Sequence, residues 1–246
     1  MISNEQFELR QNEIEMKIEK MAEREGLITS DVGPIYDGVG DACAFLSSHP
    51  RIAWVLKEPY DVVKDEKIEG GGWSIPRDCF MNDAQDWSNR TWQRVIYVMY
   101  GLRHNLHYAD MDYIRDNWEM GKVLREIAWI NLNKMPARKT SSNAAVKMAY
   151  DKYWKKIVKE QIDLYNPDVI VFGNTLDICR DAFLEEMDSP IEYVDREDVC
   201  FISVFKKDGR LLVHAYHPGF RYVKGVKGGE QHYVDSLIDT IQKCYK

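Results

Sequence analysis

Asn166-Pro167-Asp168-Val169-Ile170-Val171-Phe172-Gly173-Asn174-Thr175 sets the fold class of this chain. The Asn-Pro step halts any preceding helix, because proline offers no N–H and pushes its predecessor out of the helical region. Val169 to Phe172 is a continuous apolar run, the pattern of a strand covered on both faces. Gly173-Asn174-Thr175 then opens a helix predicted to run to about residue 186. Upstream, residues 144–165 carry the strongest helical signal, with Val146, Ala149, Tyr150, Tyr153, Trp154, Ile157 and Val158 at helical spacing. Helix, buried strand and helix in succession indicate an α/β fold with a mostly parallel sheet.

The same grammar extends outward. Arg51 to Leu56, after His49-Pro50, reads as a second buried strand that Pro59 stops, leaving Glu58 at its tip. A helix is predicted over 89–103, capped by Asn89 and with Trp92, Val95, Ile96 and Met99 on one face. A strand follows at 127–132. Phe201 to Phe205 and Leu211 to His214 form a hairpin through Lys207-Asp208-Gly209, and a helix closes the chain over 230–244. Residues 4–25 read as an amphipathic helix capped by Ser3 or Asn4, with Phe7, Ile14, Ile18 and Met21 on one face. It is expected to be a peripheral element within residues 1–30, or a partner-binding helix. No linker or repeat divides residues 1–246, so a single α/β domain is expected.

Composition narrows the function classes. With 246 residues and 45% hydrophobic content the chain can bury a substantial core. Its five cysteines (43, 79, 179, 200 and 244) are odd in number and lack a Cys-x-x-Cys pair, which argues against a disulfide framework, a zinc finger or an iron–sulfur cluster. His104 and His107, three apart, are expected to be a surface pair, and neither a metal nor a cofactor is expected. The apolar runs are too short to cross a bilayer and Met1-Ile2-Ser3-Asn4-Glu5 lacks signal-peptide character, so a soluble, cytoplasmic, monomeric protein is expected. The net charge of -7 is uneven. Residues 181–198 hold eight acids against Arg196 alone, whereas 206–227 and 134–160 are strongly basic, which suggests a basic face beside an acidic back.

Four motifs stand where predicted strands end: Lys57-Glu58-Pro59-Tyr60-Asp61, Gly72-Trp73-Ser74-Ile75-Pro76, Asn131-Leu132-Asn133-Lys134 and His214-Ala215-Tyr216-His217-Pro218-Gly219. Ligands of open α/β sheets bind beyond the carboxyl ends of the strands, so these motifs point to one pocket. Asn131 and Asn133 share a strand face, and either can reach a ligand there. His217, before a proline in a loop, is a better candidate than His214, which is expected to face the core or a neighbouring helix.

In their order these pieces resemble the uracil-DNA glycosylase superfamily. Its first motif has the form Gly-Gln-Asp-Pro-Tyr-His and is followed by Gly-x-x-Phe-Ser-Val-Pro; Asn131, the strand Asn166–Gly173 and His217-Pro218-Gly219 match its later segments. The resemblance covers roughly residues 50–245 and implies a central, mostly parallel four-stranded sheet sandwiched by helices. It further implies cleavage of the N-glycosidic bond of uracil or another altered base flipped out of duplex or single-stranded DNA. Glu58 would stabilise the oxocarbenium ion or orient water, and His217 would donate to the departing base. Trp73 would stack on the base, Asn131 would read its edge and Tyr60 would exclude larger bases. Lys134, Arg221 and Lys224 would contact DNA, with Phe220 or Tyr222 as a wedge.

The resemblance has departures. Glu58 stands where the family usually has Asp, which moves the carboxylate by about 1.5 Å, and misplacement of about 1 Å can cost roughly 100-fold in rate. Asp61 replaces a common histidine and is expected to repel phosphate, and Gly219 replaces a serine that contacts the DNA backbone. A non-catalytic base-binding or nucleic-acid-binding role is the alternative.

Overall fold

The computed structural model describes residues 2–61, 63–64, 67–85, 87–137, 141–186, 188–196, 200–220 and 229–245. In chain order these form α1 (Asn4–Arg24), β1 (Gly38–Val39), α2 (Ala42–Ser47), β2 (Ile52–Leu56) and a short pair, β3 (Val63–Lys64) and β4 (Lys67–Ile68). A π-helical turn (Ile75–Phe80), α3 (Arg90–His104), a 3-10 segment (Trp118–Glu126) and β5 (Ile127–Asn131) follow. Then come α4 (Asn143–Ala149), a π-helical turn (Tyr150–Trp154), α5 (Lys155–Tyr165), β6 (Val169–Gly173) and α6 (Leu176–Cys179). The chain closes with β7 (Glu192–Arg196), β8 (Cys200–Lys207), β9 (Arg210–Ala215) and α7 (Gly229–Cys244).

Seven strands make one mixed sheet in the order β1-β5-β2-β6-β9-β8-β7. The neighbours β5, β2, β6 and β9 run parallel. β1 adds an antiparallel edge on one side, and β8 and β7 extend the other. The sheet is therefore larger than the four strands expected. Strand alternation sorts its side chains into two cores. Ile52, Trp54, Val171 and Val213 pack with α3 and α7, and Ala53, Val55, Ile170 and Phe172 with α1 and α5. The β8–β9 turn is Asp208-Gly209, both at positive φ (50° and 75°), the geometry that suits the twist of a two-residue hairpin.

Helix α1 buries one face, with Phe7, Ile14 and Ile18 inside. Ser3 and Gln6 form a capping box at its start, and Phe7 and Ile18 are fully buried. Phe7 packs against the rings of Phe45 and Tyr165 at 5.9 and 5.8 Å. Burial of each such side chain contributes roughly 1.5–3 kcal/mol. Gln11 accepts from the Val39 N–H at 2.8 Å and donates to its carbonyl at 3.0 Å, so the helix also satisfies the outer edge of the sheet.

The helix expected over 173–186 is much shorter. Thr175 Oγ1 donates to the Val55 carbonyl at 2.7 Å instead of capping, and regular helix ends at Cys179. The acidic segment is not a separate back: Asp181 pairs with Lys155, Glu185 and Asp188 with Lys207, and Glu192 with Lys243. Three of these acids thus pair with Lys155 and Lys207, which lie in the segments read as basic. Among the described residues no helix is long and apolar enough to cross a membrane.

Candidate functional site

At the carboxyl ends of β2 and β5 a cavity of about 100 Å³ opens. Glu58, Tyr60, Trp73, Asn131 and His217, five residues named from strand-end motifs, all line it, together with Leu56, Trp92 and Trp129. Each is set in place by local physics.

Trp73 follows Gly70, Gly71 and Gly72, which adopt φ of 106°, 88° and 75°. This loop runs alongside residues 31–36: Gly70 donates to the Asp31 carbonyl, Gly33 to Gly70, Gly72 to Pro34 and Tyr36 to Trp73, at 2.7–2.9 Å. A Cβ on Gly71 would stand 1.9 Å from the Gly33 carbonyl oxygen, so the two backbones can meet only at glycine. Asp61 Oδ2 accepts from Gly71 N at 2.8 Å and from Trp73 Nε1 at 2.6 Å. The carboxylate expected to repel phosphate is thus committed to fixing the indole.

Glu58 is held at both oxygens. Ser141 Oγ donates to Oε1 at 2.5 Å and Asn133 Nδ2 to Oε2 at 3.2 Å. Asn133 is itself oriented by Trp154 Nε1, which donates to its Oδ1 at 3.0 Å. The two asparagines therefore divide the work: Asn133 braces Glu58 and Asn131 lines the cavity. They do not act as a strand-face pair, because β5 ends at Asn131. The Asn131 backbone donates to Asp37 Oδ2 at 2.5 Å, while its side-chain Nδ2 is buried with no partner among the described residues. Trp129, two residues earlier on the same strand face, likewise has a buried, unpartnered Nε1–H. A buried donor left unmade costs about 1–3 kcal/mol, a cost that an acceptor-bearing ligand can relieve.

His217 presents a defined tautomer. The Gly219 N–H donates to Nδ1 at 3.0 Å, which leaves the ring proton on Nε2. Burial, aided by the positive charges of Lys57 and Arg94, lowers its pKa to about 4, so the ring is neutral at pH 7. Arg94, itself buried, fixes the loop by donating from Nη1 to the Pro218 and Phe220 carbonyls at 2.6 and 2.9 Å. A Cβ at Gly219 would lie 2.5 Å from Thr91 Oγ1, so a side chain there would require Thr91 to shift. Tyr60, 43% exposed, sits at the rim, and burial followed by the nearby Glu58 charge raises its pKa.

The expected DNA contacts fare differently. Lys134 is fully buried, donating to both oxygens of Asp37 and to Gln161 Oε1 at 2.7–2.9 Å, so it cannot meet a phosphate. Burial lowers its pKa, opposed by Asp37. Phe220 is packed against Tyr216 and Tyr233 with the Arg94 guanidinium 4.6 Å from its ring centre, which removes it as a wedge. Arg221, Tyr222 and Lys224 lie outside the described residues. His107 pairs with Asp239 at 2.8 Å and His104 stacks near Tyr100 at 4.1 Å. His214 is buried in the sheet.

Asp37, Arg94, Trp129 and Ser141 were not singled out from sequence. Trp129 was within reach of strand alternation from Asn131; the others act on partners 83 to 124 residues away and leave no local signal. No family model matches the chain, and no curated protein matches it.

Proposed function

We propose that the cavity holds a single flipped nucleobase and that the protein is a monofunctional hydrolase, similar to uracil-DNA glycosylases, that cleaves the N-glycosidic bond of uracil or another altered base in DNA. The observation that carries this reading is the meeting of Glu58, Trp73, Asn131 and His217 on one cavity of about 100 Å³. That is well below the roughly 300–1,000 Å³ of common ligand pockets and suits one ring, not a whole nucleotide. Cleavage develops positive charge on the sugar and negative charge on the base. Glu58 faces the first need with a carboxylate braced on two sides. The neutral Nε2–H of His217 and the unpartnered Nδ2 of Asn131 face the second, and Trp73 and Trp92 supply aromatic walls for the ring.

Single-turnover cleavage of single- and double-stranded oligonucleotides carrying uracil, hypoxanthine, xanthine or 5-substituted uracils tests the reading. Glu58→Gln is expected to lower the rate at least about 100-fold, and His217→Ala by about 100- to 1,000-fold, the range for loss of a transition-state donor. Variants that cleave as fast as the parent would sink it. One observation favours a second reading, a base-binding protein without turnover: Ser141 and Asn133 already occupy one acceptor position on each Glu58 oxygen, which restrains the carboxylate. Saturable base binding with no cleavage across the panel would select that reading.

A further inference from the structure

The cavity continues beyond its mouth. Asn89 and Thr91 belong both to its wall and to an open groove of about 740 Å³ that passes Arg90, Gln93 and Arg115. Among the described residues the wall of this groove holds two arginines and no acid, in a chain whose net charge is -7. Both guanidinium groups are on exposed residues. Past Arg115 the groove continues into a hollow of about 710 Å³ that reaches Trp118, a residue 41% exposed; the one acid among the described residues lining it, Asp83, is held by Arg125 at 2.5 Å.

We propose that this groove carries a single-stranded stretch of nucleic acid leading away from the base in the cavity. Arg90 and Arg115 neutralise backbone phosphates, and Trp118 offers a stacking face to a neighbouring unpaired base. The proposal rests on reading the cavity as a nucleobase pocket. One feature favours a single strand over a duplex. An exposed aromatic at the end of a cationic groove serves bases whose faces are open, as only unpaired bases are.

The test is fluorescence anisotropy across a salt series, with a labelled 12-nucleotide single strand containing one central 2′-deoxyuridine and its duplex form. Each of Arg90→Gln and Arg115→Gln is expected to reduce the slope of log K against log[salt] by about 0.7, the single-strand value per phosphate contact. Trp118→Ala is expected to weaken strand binding by about 5- to 100-fold. Lys156→Gln, an exposed cation on α5, serves as the control and leaves the slope unchanged. Unchanged slopes in both arginine variants, absence of strand binding by the parent, or tighter binding of the duplex would overturn the proposal. Its failure separates from that of the glycosidase reading. Cleavage with unchanged slopes removes the groove alone, whereas arginine-dependent strand binding without cleavage removes the enzyme alone.

Discussion

At the scale of the residue, His217 shows how position rewrites chemistry. An imidazole in water titrates near 6.5; burial, with Lys57 and Arg94 nearby, brings this one to about 4. The folded protein then binds fewer protons than the unfolded chain between those two values, so stability falls as pH drops from about 6.5 towards 4 and the loss is complete below that. The shift corresponds to roughly 3 kcal/mol at most. Urea unfolding of the parent and of His217→Gln at pH 7 and pH 4 is expected to show an extra acid loss of that order in the parent. Equal losses in the two proteins would mean that the imidazole is not kept neutral by its surroundings. Protonation at Nδ1 would displace the Gly219 N–H but leave the Nε2–H donor in place, because both ring nitrogens of an imidazolium carry protons. Sequence named this histidine from its place before Pro218, but its tautomer comes from Gly219 and its charge state mainly from burial in a loop that Arg94 ties down at Pro218, a contact spanning 124 residues.

At the scale of the element, the loop 70–73 and the segment 31–36 hold each other in a conformation that neither has alone. Gly71 combines a φ of 88° with a backbone neighbour where a side chain would begin, whereas Gly72 has a φ of 75° and nothing within 4 Å of an added Cβ. Gly72→Ala is therefore expected to cost only the left-handed backbone penalty, about 1–2 kcal/mol. Gly71→Ala must in addition separate the two backbones, and should cost about 2–4 kcal/mol and displace Trp73. Chemical denaturation gives the stabilities, and indole fluorescence reports the displacement. Equal costs at the two positions would show that the close approach of Gly33 is not a constraint. The contrast also explains what was legible in the sequence. The strands β2, β5, β6 and β9 declare themselves as short continuous apolar runs and the helices α3 and α7 by helical spacing, because both signals are complete within a few residues. β1 is two residues long and is completed by Gln11 from another element, and the pairing of 31–36 with the glycine loop spans almost 40 residues, so neither leaves a local pattern. The helix at 144–165 was read without its π-helical turn at Tyr150–Trp154, which places two fully buried aromatics in the core.

At the scale of the whole molecule, the layers are joined beneath the cavity by a buried polar cluster. Asp37, just before β1, accepts from Lys134 after β5, from Gln161 on α5 at 2.7 Å and from the Asn131 backbone. The cluster thus ties the sheet edge to a covering helix and sets the strand end that bears Asn131. In sequence Lys134 reads as a phosphate contact, because a lysine after a strand looks the same whether it meets solvent or a buried acid. Only the arrival of Asp37, 97 residues earlier, separates the two cases. Removing one member of a buried pair leaves the other charge uncompensated, at a cost of about 3–5 kcal/mol, whereas replacing both is far milder. Lys134→Met is therefore expected to destabilise the protein by that amount in urea unfolding. Asp37→Asn with Lys134→Met should recover most of it, since an asparagine oxygen still accepts from the Asn131 backbone and no charge remains buried. A phosphate-contacting lysine behaves in the opposite way: its loss leaves stability within about 0.5 kcal/mol and weakens strand binding directly. Measured together, the stability of Lys134→Met and the salt slope of its strand binding decide which of the two this lysine is, and the buried cluster requires a large change in the first with none in the second.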